Sequence, residues 1–342
     1  MAILRRLPGP LLRASIGALL VAGPARAEHY DVRVHDPVMV EQNGTYYVFH
    51  TGRGVGVLSS DDMQTWEPRP PAFQEPPGWA TETVPRFRGS LWAPDISYHD
   101  GTYTLYYSAS SFGSNDSAIG VATNTTLDPD DPDYAWVDHG PVVRSVRGRD
   151  LWNAIDPNLV LDDQGTPWLS FGSFWSGIKL VRLSEDRLSL ARPQEWHTIA
   201  ARNRYWKLPE ADAGDTLSSA IEAPFIFKKD GWYYLFVSWD RCCAGAESTY
   251  KVVVGRSRDV TGPYLDREGE DMRFGGGSLV VRGGAAWAGV GHNSAYTFDG
   301  TDYLVFHGYD VGDEGRPKLW IEQIEWDRDA WPRVTLDAET ER

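Results

Sequence analysis

One pattern, repeated five times in 342 residues, limits what this chain can fold into. Its copies read "HDPVMVEQNGTYYVFH", "APDISYHDGTYTLYYS", "IDPNLVLDDQGTPWLSF", "EAPFIFKKDGWYYLFV" and "GHNSAYTFDGTDYLVFH". Each opens on a polar anchor: Asp36, Asp95, Asp156, Glu222 or His292. Each runs on as a short apolar strand, turns at Gly44, Gly101, Gly165, Gly231 or Gly300, and returns through an aromatic strand. Asn43-Gly44, Asp100-Gly101, Asp230-Gly231 and Asp299-Gly300 are two-residue hairpin signals, because both central residues of such a turn need positive φ. The anchors lie 59, 61, 66 and 70 residues apart, which leaves room for two more strands per unit. Residues 54–59, 118–123, 177–183, 250–257 and 318–326 are the candidates for one of these. Helical periodicity is scarce, so the chain reads as all-β. Five units of about four antiparallel strands predict a five-bladed β-propeller. A β-sandwich with coincidental glycine turns would not explain the recurring anchor-to-glycine offset.

In a propeller the first strand of each blade lines the central channel, so the five anchors are expected at one mouth. Pro37, Pro94, Pro157 and Pro224 stand beside four of them and suit a strand start, since proline cannot donate to a ladder. Glu222 is the sharpest case, a single acid inside the apolar run "SSAIEAPFIF". Two readings compete for it. It caps a strand end and reaches water, or it is held dry because its proton matters. Carboxylates brought together cannot all ionise freely, which separates an acid form from a base form. Asp36, Asp156 and Glu222 together favour an acid–base site. His292 reads either as a satisfied core histidine or as a ligand for a cation, with calcium suited to an oxygen-rich site.

The start of the chain has Arg5 and Arg6, an apolar stretch over residues 16–23, and Ala25-Arg26-Ala27. This is the pattern of a cleaved export signal over residues 1–27, by a general or a twin-arginine route. A single catalytic domain over 28–342 is then expected, secreted or periplasmic. Loss of the four arginines before residue 28 takes the formal charge from −15 to −19. That excess of acid argues against nucleic acid or an anionic membrane as partner. Residues 68–78 and 127–133 read as long loops. The stretch "GRGVGV" at 52–57 lacks the strand-to-helix setting of a nucleotide loop and reads as a hairpin or a substrate-facing loop. The two cysteines, Cys242 and Cys243, are adjacent, so no disulfide framework exists, and their redox state stays open.

The segments "VHDPVMV", "LWAPDISYHDGTYTLYYSAS", "SAIGVATN", "NAIDPNLV", "SSAIEAPFIF", "CCAGAESTYKVVVGRS" and "GVGHNSAYTFDG" run in order from His35 to Gly300. Together they resemble glycoside hydrolase family 43, in its endo-1,5-α-L-arabinanase branch. The resemblance implies a five-bladed propeller that cleaves internal bonds of arabinan, a neutral pectin side chain, with inversion at the sugar. It implies Asp36 as general base, Glu222 as general acid, and Asp156 as the residue that orients the acid and tunes its pKa. It gives Asp95 no catalytic role, only structure or substrate contact. His292 matches the family's central histidine, associated with a metal usually assigned as calcium. Trp92 and Phe112 match aromatic positions near the cleavage site, and Asn153 and Ser173 match hydrogen-bonding positions on a furanose. Trp175 is a further aromatic candidate, and core packing competes for all three aromatics. An inverting pair must stand about 6.5–9.5 Å apart to admit water. Arabinan or its oligosaccharides would be the partner and the chain a monomer. An exo-acting arabinanase, an α-L-arabinofuranosidase, a β-xylosidase and a silent carbohydrate-binding propeller remain alternatives.

Overall fold

The computed structural model describes residues 28–202 and 219–336. The expected export signal at 1–27 lies outside the described residues. Strands dominate the described residues, which hold one short α-helix at Gly78–Thr83. Five antiparallel sheets form a five-bladed β-propeller.

Blade 1 runs outward through Val38–Gln42, Thr45–His50, Gly56–Ser60 and Glu67–Arg69. Blade 2 comprises Ser90–His99, Thr102–Ala109, Ser117–Asn124 and Val137–Ser145, with the short strand Gly52–Arg53 on its inner edge. Blade 3 is Asn158–Leu161, Pro167–Phe171, Ile178–Arg182 and Trp196–Ala200. Blade 4 is Ile221–Lys229, Trp232–Trp239, Lys251–Ser257 and Ser278–Arg282. Blade 5 takes Trp287–Phe298, Thr301–Asp310 and Arg316–Gln323 from its own repeat and Glu28–Arg33 from the other end of the described chain. That last strand pairs antiparallel with Arg316–Gln323, Glu28 opposite Ile321 and Tyr30 opposite Leu319. The repeat did not show this closure, because the strand belongs to no copy of the pattern. Closure covers an edge that would otherwise offer unpaired backbone groups.

The expected third strands are all present, within a few residues of their predicted ends. The last is shorter than the 318–326 run, because Glu325–Trp326 pairs instead with Pro332–Arg333. The stretch at 68–78 is only partly loop: Pro68 and Arg69 lie in the outer strand of blade 1, where an edge tolerates proline. At the hairpins the predicted turn chemistry holds. Asp100 and Gly101 take φ of 51° and 80°, and the other three pairs do likewise.

The apolar core is divided into five layers, one between each pair of neighbouring blades. Alternation along each strand sends successive side chains to opposite neighbours. Leu105 and Tyr107 pack towards blade 1 and Tyr106 towards blade 3. Leu235 and Val237 pack towards blade 3, Tyr234 and Phe236 towards blade 5. Both faces of a blade are therefore apolar, which is why these strands read as continuous aromatic and aliphatic runs.

Candidate active site

On each inner strand or just before it stands one residue in the left-handed region: Asp36 (φ 56°), Ala93 (37°), Asp156 (59°), Ala223 (55°) and His292 (50°). This position is the structural equivalence of the repeat. Asp95 lies two residues beyond it and Glu222 one residue before it, so the expectation of five equivalent anchors is corrected. Pairing with the second strand slips here in blades 2, 4 and 5. Such bulges re-aim side chains next to functional sites. A left-handed residue with a Cβ carries a local cost, which the surroundings must over-determine.

What holds these residues is a ring of hydrogen bonds from blade to blade. The N–H of Ala93 donates to Thr51 Oγ1 (2.8 Å), that of Asp156 to Ser108 Oγ (3.1 Å), that of His292 to Ser238 Oγ (2.8 Å), and that of Asp36 to His307 Nδ1 (3.1 Å). Each acceptor is the seventh residue after the hairpin glycine of the preceding blade. In blade 3 that position is Gly172, with φ 135° and no side chain to offer. Asp156 fills the gap: its Oδ2 accepts the Ala223 N–H at 3.1 Å. One missing side chain thus places the carboxylate of Asp156 against the backbone next to Glu222.

Asp36 is buried, with three donors on its two oxygens and one acceptor site left on Oδ2. His35 Nδ1 and His292 Nδ1 lie 2.8 and 2.9 Å from Oδ1, and the Thr51 hydroxyl donates to Oδ2 at 2.5 Å. Burial alone would raise its pKa, but His292 and His35 hold it well below the usual carboxylate range. Glu222, 8% exposed, accepts the Ser173 hydroxyl at 2.7 Å. Asp156 behaves in the opposite sense to Asp36. Burial, with Glu222 and Asp36 nearby, pushes it up to about 8 against the opposing pull of His292. His292 rises to about 9: burial opposes its charge, and Asp36, Asp156 and Glu222 outweigh burial. His307 is fully buried, and its pKa is held well below the usual imidazole value by that burial and by His35.

A cavity of about 1060 Å³ opens over these groups. Asp36, Asp156, Glu222 and His292 line it with Trp92, Phe112, Asn153, Ser173 and Trp175. Residues 30–332 match the family model of the glycosyl hydrolases family 43. The chain belongs to glycoside hydrolase family 43. It is 53% identical over 303 residues to the extracellular exo-α-(1→5)-L-arabinofuranosidase of Cellvibrio japonicus, covering 89% of this chain and 86% of that one. It is 41% identical to the extracellular endo-α-(1→5)-L-arabinanase 1 of Bacillus subtilis, covering 91% of each. The solved Cellvibrio cellulosa α-L-arabinanase complexed with arabinohexaose superimposes with a TM-score of 0.83 at 51% identity, over 89% of this chain and 96% of that one.

Within this family 43 chain the cavity gathers every expected site residue. Asp95 stands apart from it. Only 2% exposed, it accepts the Leu159 N–H at 2.7 Å and the Asn158 amide at 3.3 Å, bracing blade 2 to blade 3. Burial raises its pKa to about 7. Core packing does not account for Phe112 or Trp175, which are 74% and 37% exposed. Trp92 and Phe112 approach at 5.1 Å between ring centres. Asn153 is buried, its Oδ1 taking the Ser117 hydroxyl at 2.7 Å. Ser173 is already engaged with Glu222. Of the glycine stretch, Gly52 lines the cavity, while Val55 and Val57 pack into the core between blades 1 and 2.

Sequence reading missed Thr51, His35, His307, Tyr309 and the cysteine turn. For Thr51 and His307 a signal existed, in the column Thr51, Ser108, Gly172, Ser238 and His307 of the aligned repeats. Cys242 and Cys243 form a disulfide and line the cavity. Among the described residues, His35, Asp36 and His307 bring three metal-type ligand atoms within 4.8 Å, but these atoms are already engaged at Asp36 or Tyr309. His292 keeps Nε2 without a partner among the described residues, and next to it Asn293, 3% exposed, has neither amide atom paired. One imidazole nitrogen without a partner among the described residues, on a residue that lines the cavity with Asp156 and Glu222, fits a hydrated hard cation.

Proposed function

We propose that the chain hydrolyses the α-1,5-L-arabinofuranosidic bonds of arabinan with inversion, cutting within the polymer. The observation that carries this reading is the opposite tuning of neighbouring carboxylates in one cavity. Asp36 is held as an anion by two imidazoles and Thr51, while Asp156, pushed up by burial, keeps a proton on the Glu222 side of the cavity. Such a split separates a base side from an acid side, and Glu222, engaged by Ser173, is the proposed donor of the acid side.

Water in the cavity gives its proton to Asp36 as its oxygen attacks the anomeric carbon. The bond from that carbon to the leaving oxygen breaks, and Glu222 protonates the leaving oxygen. The bond from Asp156 to the Ala223 N–H orients the backbone that carries the acid. Ser173 fixes the Glu222 carboxyl. Trp92, Phe112 and Trp175 stack on the apolar faces of the sugars, and Asn153 hydrogen-bonds to a furanose. The relatives named as extracellular support an exported protein, and arabino-oligosaccharide is the partner that the arabinohexaose complex supports.

Linear α-1,5-arabinan is the deciding substrate. Internal cleavage releases oligomers of mixed length early in the reaction, resolved by anion-exchange chromatography. A second reading, attack from a chain end, is favoured by the exo-acting relative at 53% identity. It predicts one product size throughout. No release from arabinan would leave a binding propeller and overturn both.

Calcium at His292 Nε2, completed by water, belongs to the same proposal. A bound cation would supply positive charge beside the acids, the charge His292 itself carries when protonated. Chelation with EGTA lowers Tm in the wild type and leaves His292→Gln unmoved. Equal Tm with and without EGTA in the wild type would remove the metal from this reading.

A further inference from the structure

The Tyr309 hydroxyl has one proton to give and two lone pairs to fill. Three groups reach it: the Cys243 backbone nitrogen at 2.8 Å, His35 Nε2 at 2.8 Å and His307 Nε2 at 3.2 Å. The Cys243 nitrogen can only donate. His307 Nδ1 already accepts the Asp36 N–H, so the proton of that neutral ring sits on Nε2 and is donated to Tyr309. Both lone pairs are then occupied, and the hydroxyl proton has one place left to go, His35 Nε2. His35 therefore accepts at Nε2 and carries its own proton on Nδ1, 2.8 Å from Asp36 Oδ1. The opposite tautomer would turn a lone pair towards the Asp36 carboxylate.

We infer that Tyr309, held by the N–H of the Cys242–Cys243 turn, is a positioning residue that fixes the tautomer of His35 and so keeps an N–H donor on Asp36. The inference rests on Asp36 being the base. The construction around the hydroxyl is specific. His307 and Tyr309 are two residues apart on one strand and so share a face. The His35 and His307 rings stack at 4.0 Å, which aligns their nitrogens on the two sides of the relay. Cys243 has φ 61°, a left-handed backbone that its bond to Cys242 locks, and its Sγ lies 3.8 Å from His35 Nε2. The hydrogen bonds of this chain of contacts end on Asp36, at its backbone N–H through His307 and at Oδ1 through His35.

The test is Tyr309→Phe, which keeps the ring and removes the hydroxyl. In wild-type protein labelled with 15N-histidine, His35 should show a protonated Nδ1 and an unprotonated Nε2. In the variant the Nε2-protonated form should appear, and kcat on linear arabinan should fall roughly tenfold, the worth of about one hydrogen bond, with KM within about twofold. A double variant supplies the control. Asn at position 35 offers its amide N–H where Nδ1–H stood and has no tautomers, so Tyr309→Phe should cost nothing further in a His35→Asn background. Cys242→Ser/Cys243→Ser should move the His35 tautomer in the same direction as Tyr309→Phe. The inference is overturned if wild-type His35 carries its proton on Nε2, if Tyr309→Phe leaves kcat unchanged, or if its cost persists in full beside His35→Asn. An unmoved His35 spectrum in the cysteine variant removes the turn from the relay. Failure of the base assignment would look different: Asp36→Asn would stay active while the His35 tautomer remained as inferred.

Discussion

Glu222→Gln and Asp36→Asn are each expected to lower kcat on linear arabinan by about 10³-fold, with unchanged far-ultraviolet circular dichroism. A positioned acid or base contributes roughly 10²–10⁴-fold, so a thousandfold loss corresponds to about 4 kcal/mol of barrier. Both substitutions preserve shape, and Glu222→Gln leaves Ser173 with an oxygen to bond, which separates chemistry from packing on the acid side. Asp95→Ala is the contrasting variant. It orphans the buried Leu159 N–H, at a cost of about 1–3 kcal/mol, and so lowers Tm. It leaves kcat of the folded enzyme near wild type, because Asp95 does not reach the cavity. Reducing-end release and a melting curve on the three variants decide the matter. A folded Glu222→Gln enzyme with most of its activity would sink the assignment.

Asp156 carries the second large effect. Its pKa near 8 belongs to a pair of facing acids, so the proton lost near that pH is lost by the pair. Above it the leaving oxygen has no donor, and activity falls on the alkaline side. Asp156→Ala removes the group that holds this proton, so the alkaline limb moves away from that pH. It also orphans the Ala223 N–H, and kcat should fall about 10²-fold at the optimum. Asp156→Asn keeps an oxygen for that N–H and loses only the charge. It should move the limb equally and lose less kcat. The acid limb, set by Asp36 well below the ordinary carboxylate range, stays in place in both. A kcat–pH profile of the three proteins tests this, and an alkaline limb that does not move would refute the coupling.

The propeller was legible because its strands carry redundant signals. Asp230-Gly231 and its counterparts specify turns, the aromatic runs specify strands buried on both faces, and the repeat multiplies each signal by five. The strand that closes blade 5 was not legible, since nothing in residues 28–33 resembles the rest of the repeat. The acids of the site were visible as residues out of place. Glu222 inside "AIEAPFIF" is conspicuous on polarity alone, and so are Asp36 and Asp156 before their prolines.

What polarity could not show was register. Aligning copies by their acidic residue placed Asp95 with Asp36, whereas the backbone aligns Ala93 with it. A bulge is decided by the sum of ladder pairing, blade packing and one side-chain acceptor from the neighbouring blade, and none of these is local in sequence. The same holds for Tyr309, an ordinary aromatic in "HGYD" until folding sets it against residues 35 and 243, far away in the chain. By itself the sequence determined the number of blades, the hairpin chemistry and which acids were candidates for the site, because these depend on residue type and short spacing. The tertiary structure alone decided which acid stays charged, which holds a proton and which merely braces two blades. Those outcomes depend on desolvation and on charges within a few ångströms, supplied by residues from every part of the ring.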